Sequence, residues 1–176
     1  MAISQSVVKA FNEQLNRELF SEYLYLSMAA WFESLNLKGF ANWMRVQAQE
    51  EHAHAMLFYN FIIDRGGTVA LDKIDRPDQK WDSPLAAISK ALEHEEFITR
   101  NINDLFDISM AAKDHAAHSF LKFFLDEQVE EEKNASEIVG KLKLIGDSAS
   151  GLFMLDNELG LRVFTPPAVA GATPAP

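Results

Sequence analysis

The sequence predicts an all-α fold: a four-helix bundle with one long crossover connection and a short fifth helix. Residues 4–33 and 40–65 contain neither glycine nor proline, and apolar residues recur in them at steps of three and four. This spacing is typical of long helices with one buried face. Residues 68–82 instead form one long connection, which lets helices two and three run parallel. No segment shows a strand pattern that competes with this interpretation.

The first two predicted helices each place acidic residues on an apolar stripe. In the first helix, Glu18 lies three residues after Leu15, on the stripe that continues to Tyr25. After a break around Gly39, the second helix covers residues 40–65 and ends at Gly66-Gly67. Glu51 and His54 lie three residues apart, so they share one face of this helix.

Ser83-Pro84 begins the third helix, with serine as the N-cap and proline at the first helical position. This helix extends to about Ala112 and carries Glu95 on its apolar seam. The fourth helix extends from about His115 to Leu144, with Gly140 as a position where it can kink.

Gln128 and Glu131 repeat the three-residue spacing on the inner face of the fourth helix. A short apolar helix is predicted at about 150–160. Residues 1–164 therefore form the predicted domain, and the Pro/Ala-rich residues 165–176 form a predicted flexible tail.

Composition excludes several classes of protein. The 176 residues include 16 Lys and Arg against 26 Asp and Glu, a formal net charge of −10. Such a chain lacks the cationic surface that nucleic acids require. The absence of cysteine excludes disulfides, thiolate nucleophiles and iron–sulfur clusters. No signal peptide or membrane-spanning run is recognisable, so we expect a cytoplasmic protein that binds neither membranes nor nucleic acid.

The inward acids predict a metal site. Several carboxylates buried close together are unfavourable unless a positive charge neutralises them. Oxygen ligands with one imidazole suit iron or another first-row divalent cation. A single Glu-x-x-His pair also occurs on solvated helix faces, and a purely structural bundle remains the alternative. That alternative leaves the matched acids on four helices unexplained.

Five stretches of the sequence resemble the non-haem ferritins of bacteria and archaea. They are residues 15–19 (LNREL), 49–54 (QEEHAH), 93–96 (EHEE), 127–133 (EQVEEEK) and 151–156 (GLFMLD). The resemblance covers about residues 4–164 and implies a ferritin-like di-iron bundle. It assigns Glu18 and His54 to a first iron, Glu51 to a bridge between two irons, and Glu95 and Glu131 to the second iron.

The same resemblance assigns roles around this pair of irons. Gln128 is expected beside them as a hydrogen-bonding neighbour, and Tyr25 matches the family's tyrosine, a candidate electron donor. Glu50, Glu127 and Glu130 match the acids of a third iron site, for which a solvated acidic face is the alternative.

Four positions differ from the patterns of related proteins. The haem-containing branch has methionine where this chain has His52, and Glu-x-x-His where this chain has Gln128-x-x-Glu131, so no haem is expected. Phe123 stands where some relatives carry a tryptophan near the centre.

The resemblance implies ferroxidase activity coupled to iron storage. Fe(II) would be oxidised to Fe(III) by dioxygen or peroxide and deposited as a mineral inside a homo-oligomeric shell. That shell would have twenty-four subunits in octahedral symmetry, with the fifth helix around the four-fold axes. A haem-bearing, bacterioferritin-like electron-transfer protein is the alternative within the same fold.

Overall fold

A computed structural model describes residues 3–167 and contains no strand within that range. Each of the five predicted helices is present, with ends within about two residues of the expected ones. The predicted tail falls mostly on residues 168–176, outside the described range; residues 165–167 are not helical. The helices are α1 (Gln5–Ser34), α2 (Lys38–Asp64), α3 (Pro84–Ala111), α4 (His115–Ile145) and α5 (Ala149–Leu159).

Two hydrophobic clusters form the core, one toward each end of the bundle. Along α1, the chain passes from the cluster of Phe11 and Leu15 to the cluster of Met28 and Phe32. Helices α2 and α3 pass between the clusters in the opposite direction, and α4 again follows α1. The order of the clusters therefore shows that α2 and α3 run parallel, as the long crossover predicts.

The crossover between α2 and α3 is extended and follows the outer side of α1. Asn12 donates from Nδ2 to the carbonyl of Thr68 at 3.0 Å and accepts from the Ala70 amide at 2.7 Å. Further along, the Ser27 hydroxyl donates to the Asp78 carbonyl at 2.6 Å. Polar side chains of α1 thus satisfy backbone groups that have no partner in regular secondary structure.

Side-chain caps fix four of the five helix starts, including that of α1 at Ser4. Ser83 accepts from the Ala86 amide at 3.1 Å, and Asp114 accepts from the Ala117 amide at 3.0 Å. Ser148 begins α5 in the same way. Helix α4 continues without interruption through Gly140. None of the helices within residues 3–167 is long and apolar enough to cross a membrane.

Helix α5 caps the start of α2. Leu37, the residue before α2, provides no side-chain cap. Instead, Asp156 of α5 accepts hydrogen bonds through Oδ1 from the backbone amides of Gly39 at 2.8 Å and Phe40 at 3.0 Å. A carboxylate at this end also interacts favourably with the helix dipole. Leu155 is buried in the core beside this contact, so α5 is held by both polar and apolar interactions.

Candidate metal centre

A polar layer separates the two hydrophobic clusters at the middle of the bundle. Each of the four long helices contributes one carboxylate to this layer, and each carboxylate is almost fully buried. The four are Glu18, Glu51, Glu95 and Glu131. Each of these residues lies near the middle of its helix. The four carboxylates therefore lie at the same height along the bundle axis, whether neighbouring helices run parallel or antiparallel. The structure thus confirms the inward orientation that the apolar seams predicted.

The closest group consists of Glu18, Glu51 and His54. One ligand atom from each lies within 4.8 Å of the other two, and all three residues are buried. Glu18 Oε1 accepts from Gln14 Nε2 at 2.8 Å, whereas Glu18 Oε2 is buried without a hydrogen-bond partner among residues 3–167. His54 Nδ1 lies 3.8 Å from Glu51 Oε2. Two oxygens and a nitrogen therefore converge where one cation fits.

The other two acids are held by neutral donors. The Tyr25 hydroxyl donates to Glu95 Oε1, and Gln128 Nε2 lies 3.3 Å from Glu95 Oε2. Glu131 Oε2 accepts from Gln47 Nε2 at 2.8 Å. Gln128 and Tyr25 thus lie beside the acids, as expected. Glu95 and Glu131 share the polar layer with the Glu18 group but are not within its 4.8 Å cluster.

Burial favours the protonated form of three inner carboxyls, those of Glu51, Glu95 and Glu131. Burial, with the nearby charge of Glu131, raises the pKa of Glu95 to about 8. Burial and the charge of Glu95 likewise raise the pKa of Glu51 well above its usual range, and burial raises that of Glu131. Burial and Glu95 also raise the pKa of Tyr25, so its phenol is neutral. A cation that enters this layer would replace those protons.

His54 has the opposite balance. Burial lowers its pKa, but the carboxylates of Glu127 and Glu51, followed by Glu18, outweigh burial and raise the pKa well above the usual value. These carboxylates therefore favour the protonated form of the imidazole. Its Nε2 lies 3.8 Å from Glu127 Oε2. Metal binding through this ring requires loss of a proton.

The three outer acids are in different environments. Glu127 is within ion-pair distance of His54, with its side chain 33% exposed. Glu50 is paired with Arg162, whose Nη2 donates to Glu50 Oε2 at 2.6 Å. Burial raises the pKa of Glu50 to about 7, although Arg162 acts to lower it. Glu130 is exposed and forms no ion pair with any of the described residues.

Four neighbours of the centre were not predicted. Gln14 and Gln47 each precede an inward acid by four residues on the same helix, so helical spacing contains the signal for them. Thr99 follows Glu95 by four residues and lies 3.3 Å from Gln128 Nε2. Arg162 lies beyond α5, and nothing in the local sequence indicates its contact with Glu50.

Two residues that depart from related patterns lie outside the closest group. His52 is exposed on α2, with Nδ1 3.0 Å from Glu22 Oε2 on α1. Phe123 packs its ring 5.9 Å from the His54 ring and forms an apolar wall on that side.

This donor set defines a class of protein. Carboxylates and one imidazole, buried at the middle of a four-helix bundle with one long crossover, characterise the ferritin-like metalloproteins. Hard oxygen ligands with imidazole favour iron and similar divalent cations. The usual second Glu-x-x-His pair is replaced on α4 by Gln128 and Glu131.

Comparisons with known proteins specify the family. The family model for the ferritin-like domain matches residues 8–145. A bacterial non-heme ferritin of Bacteroides fragilis (strain 638R) is 44% identical over 160 residues, which cover 91% of this chain and 99% of the relative. One from Staphylococcus aureus (strain USA300) is 37% identical over 162 residues, 92% of this chain and 98% of the relative. This chain belongs to the non-haem ferritins.

Solved structures agree with this assignment. An engineered closed form of the Archaeoglobus fulgidus ferritin is 51% identical, with a TM-score of 0.92 over 93% of this chain and 100% of that one. The open-pore ferritin of the same archaeon is 50% identical, with a TM-score of 0.91 over 92% and 100% of the two chains.

Proposed function

We propose that this chain stores iron and oxidises Fe(II) to Fe(III) at the polar layer of each subunit. The buried group of Glu18, Glu51 and His54, with ligand atoms within 4.8 Å of one another, is the observation that carries the proposal. Membership of the non-haem ferritins supports iron storage as the role.

Two Fe(II) ions bind side by side as substrates in this proposal. Glu18 and His54 hold the first, Glu95 and Glu131 hold the second, and Glu51 bridges them. Each iron loses one electron, and the two electrons reduce dioxygen to peroxide, or peroxide to water, with uptake of two protons. Anionic ligands favour the ferric product because Fe(III) carries the higher charge.

Tyr25 and Gln128 assist this reaction without binding iron. When a single Fe(II) is bound, the Tyr25 phenol would supply the second electron that the oxidant needs and become a phenoxyl radical, with its proton moving to Glu95 along the existing hydrogen bond. Gln128 holds the same carboxylate through Nε2 and orients it toward the second iron.

Glu50, Glu127 and Glu130 form an outer third position on the route from the centre. Glu127 adjoins His54 directly, and the charges of Glu127 and Glu131 both affect the pKa of Glu50. This proximity supports one shared outer position for Glu50 and Glu127. Glu130 completes it by turning its exposed side chain inward when a cation binds.

The subunits assemble into a hollow shell of twenty-four in this proposal, located in the cytoplasm. Helix α5 supports this assembly, because Phe153 and Met154 are 67% and 71% exposed although both are apolar. Apolar side chains on a short helix favour contacts between subunits. The two related structures are described as an open-pore ferritin and as a closed form obtained by mutation. Electron microscopy would distinguish an octahedral shell from a more open arrangement.

Aerobic addition of Fe(II) to metal-free protein tests the oxidation. Wild type should show rapid absorbance growth in the near ultraviolet, saturating at two Fe(II) per subunit. Glu51→Gln should abolish the fast phase and still assemble, whereas Glu137→Gln, which removes an acid from the solvated face of α4, should not change it. An unchanged fast phase in Glu51→Gln would reject the assigned centre.

The same preparations separate the alternatives. A purely structural bundle predicts no stoichiometric iron binding by any variant. A haem-bearing protein predicts a Soret band in the purified wild type.

A further inference from the structure

The chain beyond α5 returns to α2 and brings a cation to the edge of the polar layer. Asn42 of α2 donates from Nδ2 to the Arg162 carbonyl at 2.9 Å. The Arg162 guanidinium then lies over the Trp43 ring, 4.6 Å from its centroid, a cation–π geometry. From there Nη2 reaches Glu50 Oε2 at 2.6 Å. Three successive contacts on α2 therefore fix both the backbone and the side chain of Arg162.

The ion pair of Arg162 and Glu50 is largely removed from solvent. Only 20% of the arginine side chain and 19% of the glutamate side chain are exposed. Arg162 Nη1 is buried without an acceptor within residues 3–167, so one donor of the guanidinium is left unused. A short charge-assisted hydrogen bond between partly desolvated groups is stronger than an exposed pair.

The guanidinium binds the carboxylate that an outer cation would also use. Glu50 lies close enough to Glu127, Glu131 and His54 for their charges to act on it. The charges of Glu127 and Glu131 disfavour a negative charge on Glu50, whereas Arg162 favours it. Arg162 also favours a negative charge on Glu131. In the metal-free chain, Arg162 therefore supplies positive charge to the outer acids.

We propose that Arg162 competes with the third metal ion for Glu50 and thereby sets the outer position as the weakest of the three. This inference rests on the proposed outer position of Glu50 and Glu127. A cation that binds Glu50 must displace the guanidinium. The free energy of the lost ion pair lowers the apparent affinity of the outer position for that cation. Three of the inner acids, Glu18, Glu131 and Glu95, are held by neutral amide donors, so no guanidinium has to leave them when a cation binds.

The competition also connects metal binding to α5. Arg162 follows α5 by three residues, and Asn42 also lies 3.4 Å from the carbonyls of Leu159 and Gly160. Release of Glu50 by Arg162 therefore removes one contact that holds this end of the chain on α2. Because such coupling is reciprocal, a change that loosens α5 should favour cation binding at Glu50 by the same factor by which cation binding loosens α5.

Calorimetric titration of the assembled, metal-free protein with Zn(II) tests the proposal, because Zn(II) is not oxidised. Wild type should show two tight sites and one weaker site per subunit. In Arg162→Gln the weakest site should bind about tenfold more tightly, an effect of the size expected for one lost charged hydrogen bond. Arg162→Lys, which keeps the charge but loses the planar fork, should lie between the two.

Lys141→Gln is the matched control. It removes a cation from α4 that pairs with Glu158 of α5, without reaching Glu50. Its three affinities should equal those of wild type. An unchanged weakest site in Arg162→Gln, or an equal change in Lys141→Gln, would overturn the proposal. Intact size and thermal unfolding would confirm that each variant is folded and assembled.

Glu50→Gln separates this inference from the function on which it rests. If Glu50→Gln eliminates the weakest site and Arg162→Gln changes nothing, the outer position stands and the competition is wrong. If Glu50→Gln retains all three sites, or wild type shows only two, the outer position itself is wrong and the inference fails with it. A zinc-loaded crystal structure adds a direct readout: Arg162 Nη2 should lie beyond hydrogen-bond distance of Glu50 Oε2.

Discussion

Gly39→Ala should release α5 from the bundle although it adds only one methyl group. Gly39 lies in the first turn of α2, and a Cβ built on it would stand 1.5 Å from the carbonyl oxygen of Asp156 and 2.5 Å from the carbonyl carbon. Real Cβ atoms essentially never approach within 3.0 Å, so the α5 backbone must move by about 1.5 Å. The clash is with backbone, which no side-chain rotation relieves.

The size of the effect follows from the contacts that this movement breaks. Asp156 would lose its hydrogen bonds from the amides of Gly39 and Phe40, each about 1.5 kcal/mol for a charged acceptor. Leu155 and Leu159 are buried against the bundle, and partial exposure of each costs about 1 kcal/mol of the roughly 2 kcal/mol that full burial supplies. We therefore expect a destabilisation of about 4–5 kcal/mol for α5 docking.

Gly140→Ala provides the matched control. Gly140 also lies inside a helix, but a Cβ there would meet nothing within 4 Å. This substitution should stabilise the subunit by up to about 1 kcal/mol, because alanine has the higher helix propensity.

Hydrogen exchange and particle size measure the outcome. In Gly39→Ala the amides of α5 should exchange as if the helix were undocked, and the assembled particle should weaken or change in size. Peptides from the ends of α1 and α3 should keep their protection. If α5 keeps its wild-type protection in Gly39→Ala, the close packing of Gly39 on Asp156 is wrong. If α5 loses protection but the particle is unchanged, the role of α5 in assembly is wrong.

Two further predictions concern the polar layer. Burial raises the pKa of Glu50 to about 7 and of Glu95 to about 8, from a usual 4.5, so the folded metal-free chain holds protons that the unfolded chain releases. The stability that these protons provide is present below pH 4.5 and is lost as pH rises through 7 and 8. In the presence of a chelator, the thermal unfolding midpoint should therefore fall as pH rises to 8, and it should fall less in Glu95→Gln. A midpoint that rises with pH would contradict the raised pKa values. Tyr25→Phe should retain the two tight Zn(II) sites. It should lose any transient phenoxyl signal that electron paramagnetic resonance detects during Fe(II) oxidation. A signal that persists in this variant would show that another residue is the electron donor.

The helices and the inward acids were predictable because both depend on spacing within one helix. Glu18 and Glu51 lie on apolar seams, and a carboxylate on such a seam faces the core wherever the helix packs. Gln14 and Gln47 were missed although they have the same kind of signal. A glutamine on a seam is ordinary in sequence, and only the geometry shows that its amide holds a carboxylate.

The contacts of α5 were not predictable for a different reason. Asp156 caps α2, and Arg162 reaches Glu50, across more than one hundred residues of sequence. No regular spacing in the sequence relates the members of either pair, because the path of the chain after α4 depends on how α5 packs on the folded bundle. The apolar composition of residues 150–160 predicts that this helix needs a packing partner, but the sequence does not show that its own bundle supplies part of one.

The structure holds its inner and outer acids by different means, and this difference has a thermodynamic consequence. A neutral amide orients a carboxylate but leaves its charge available, whereas a guanidinium neutralises it. Above pH 8, an incoming cation meets little competition from protons at Glu95 but still has to displace Arg162 from Glu50. Affinity for cations should consequently decrease from the centre outward, and the inner positions should fill first. Amides hold three of the inner acids, in the pairs Gln14 with Glu18, Gln47 with Glu131 and Gln128 with Glu95.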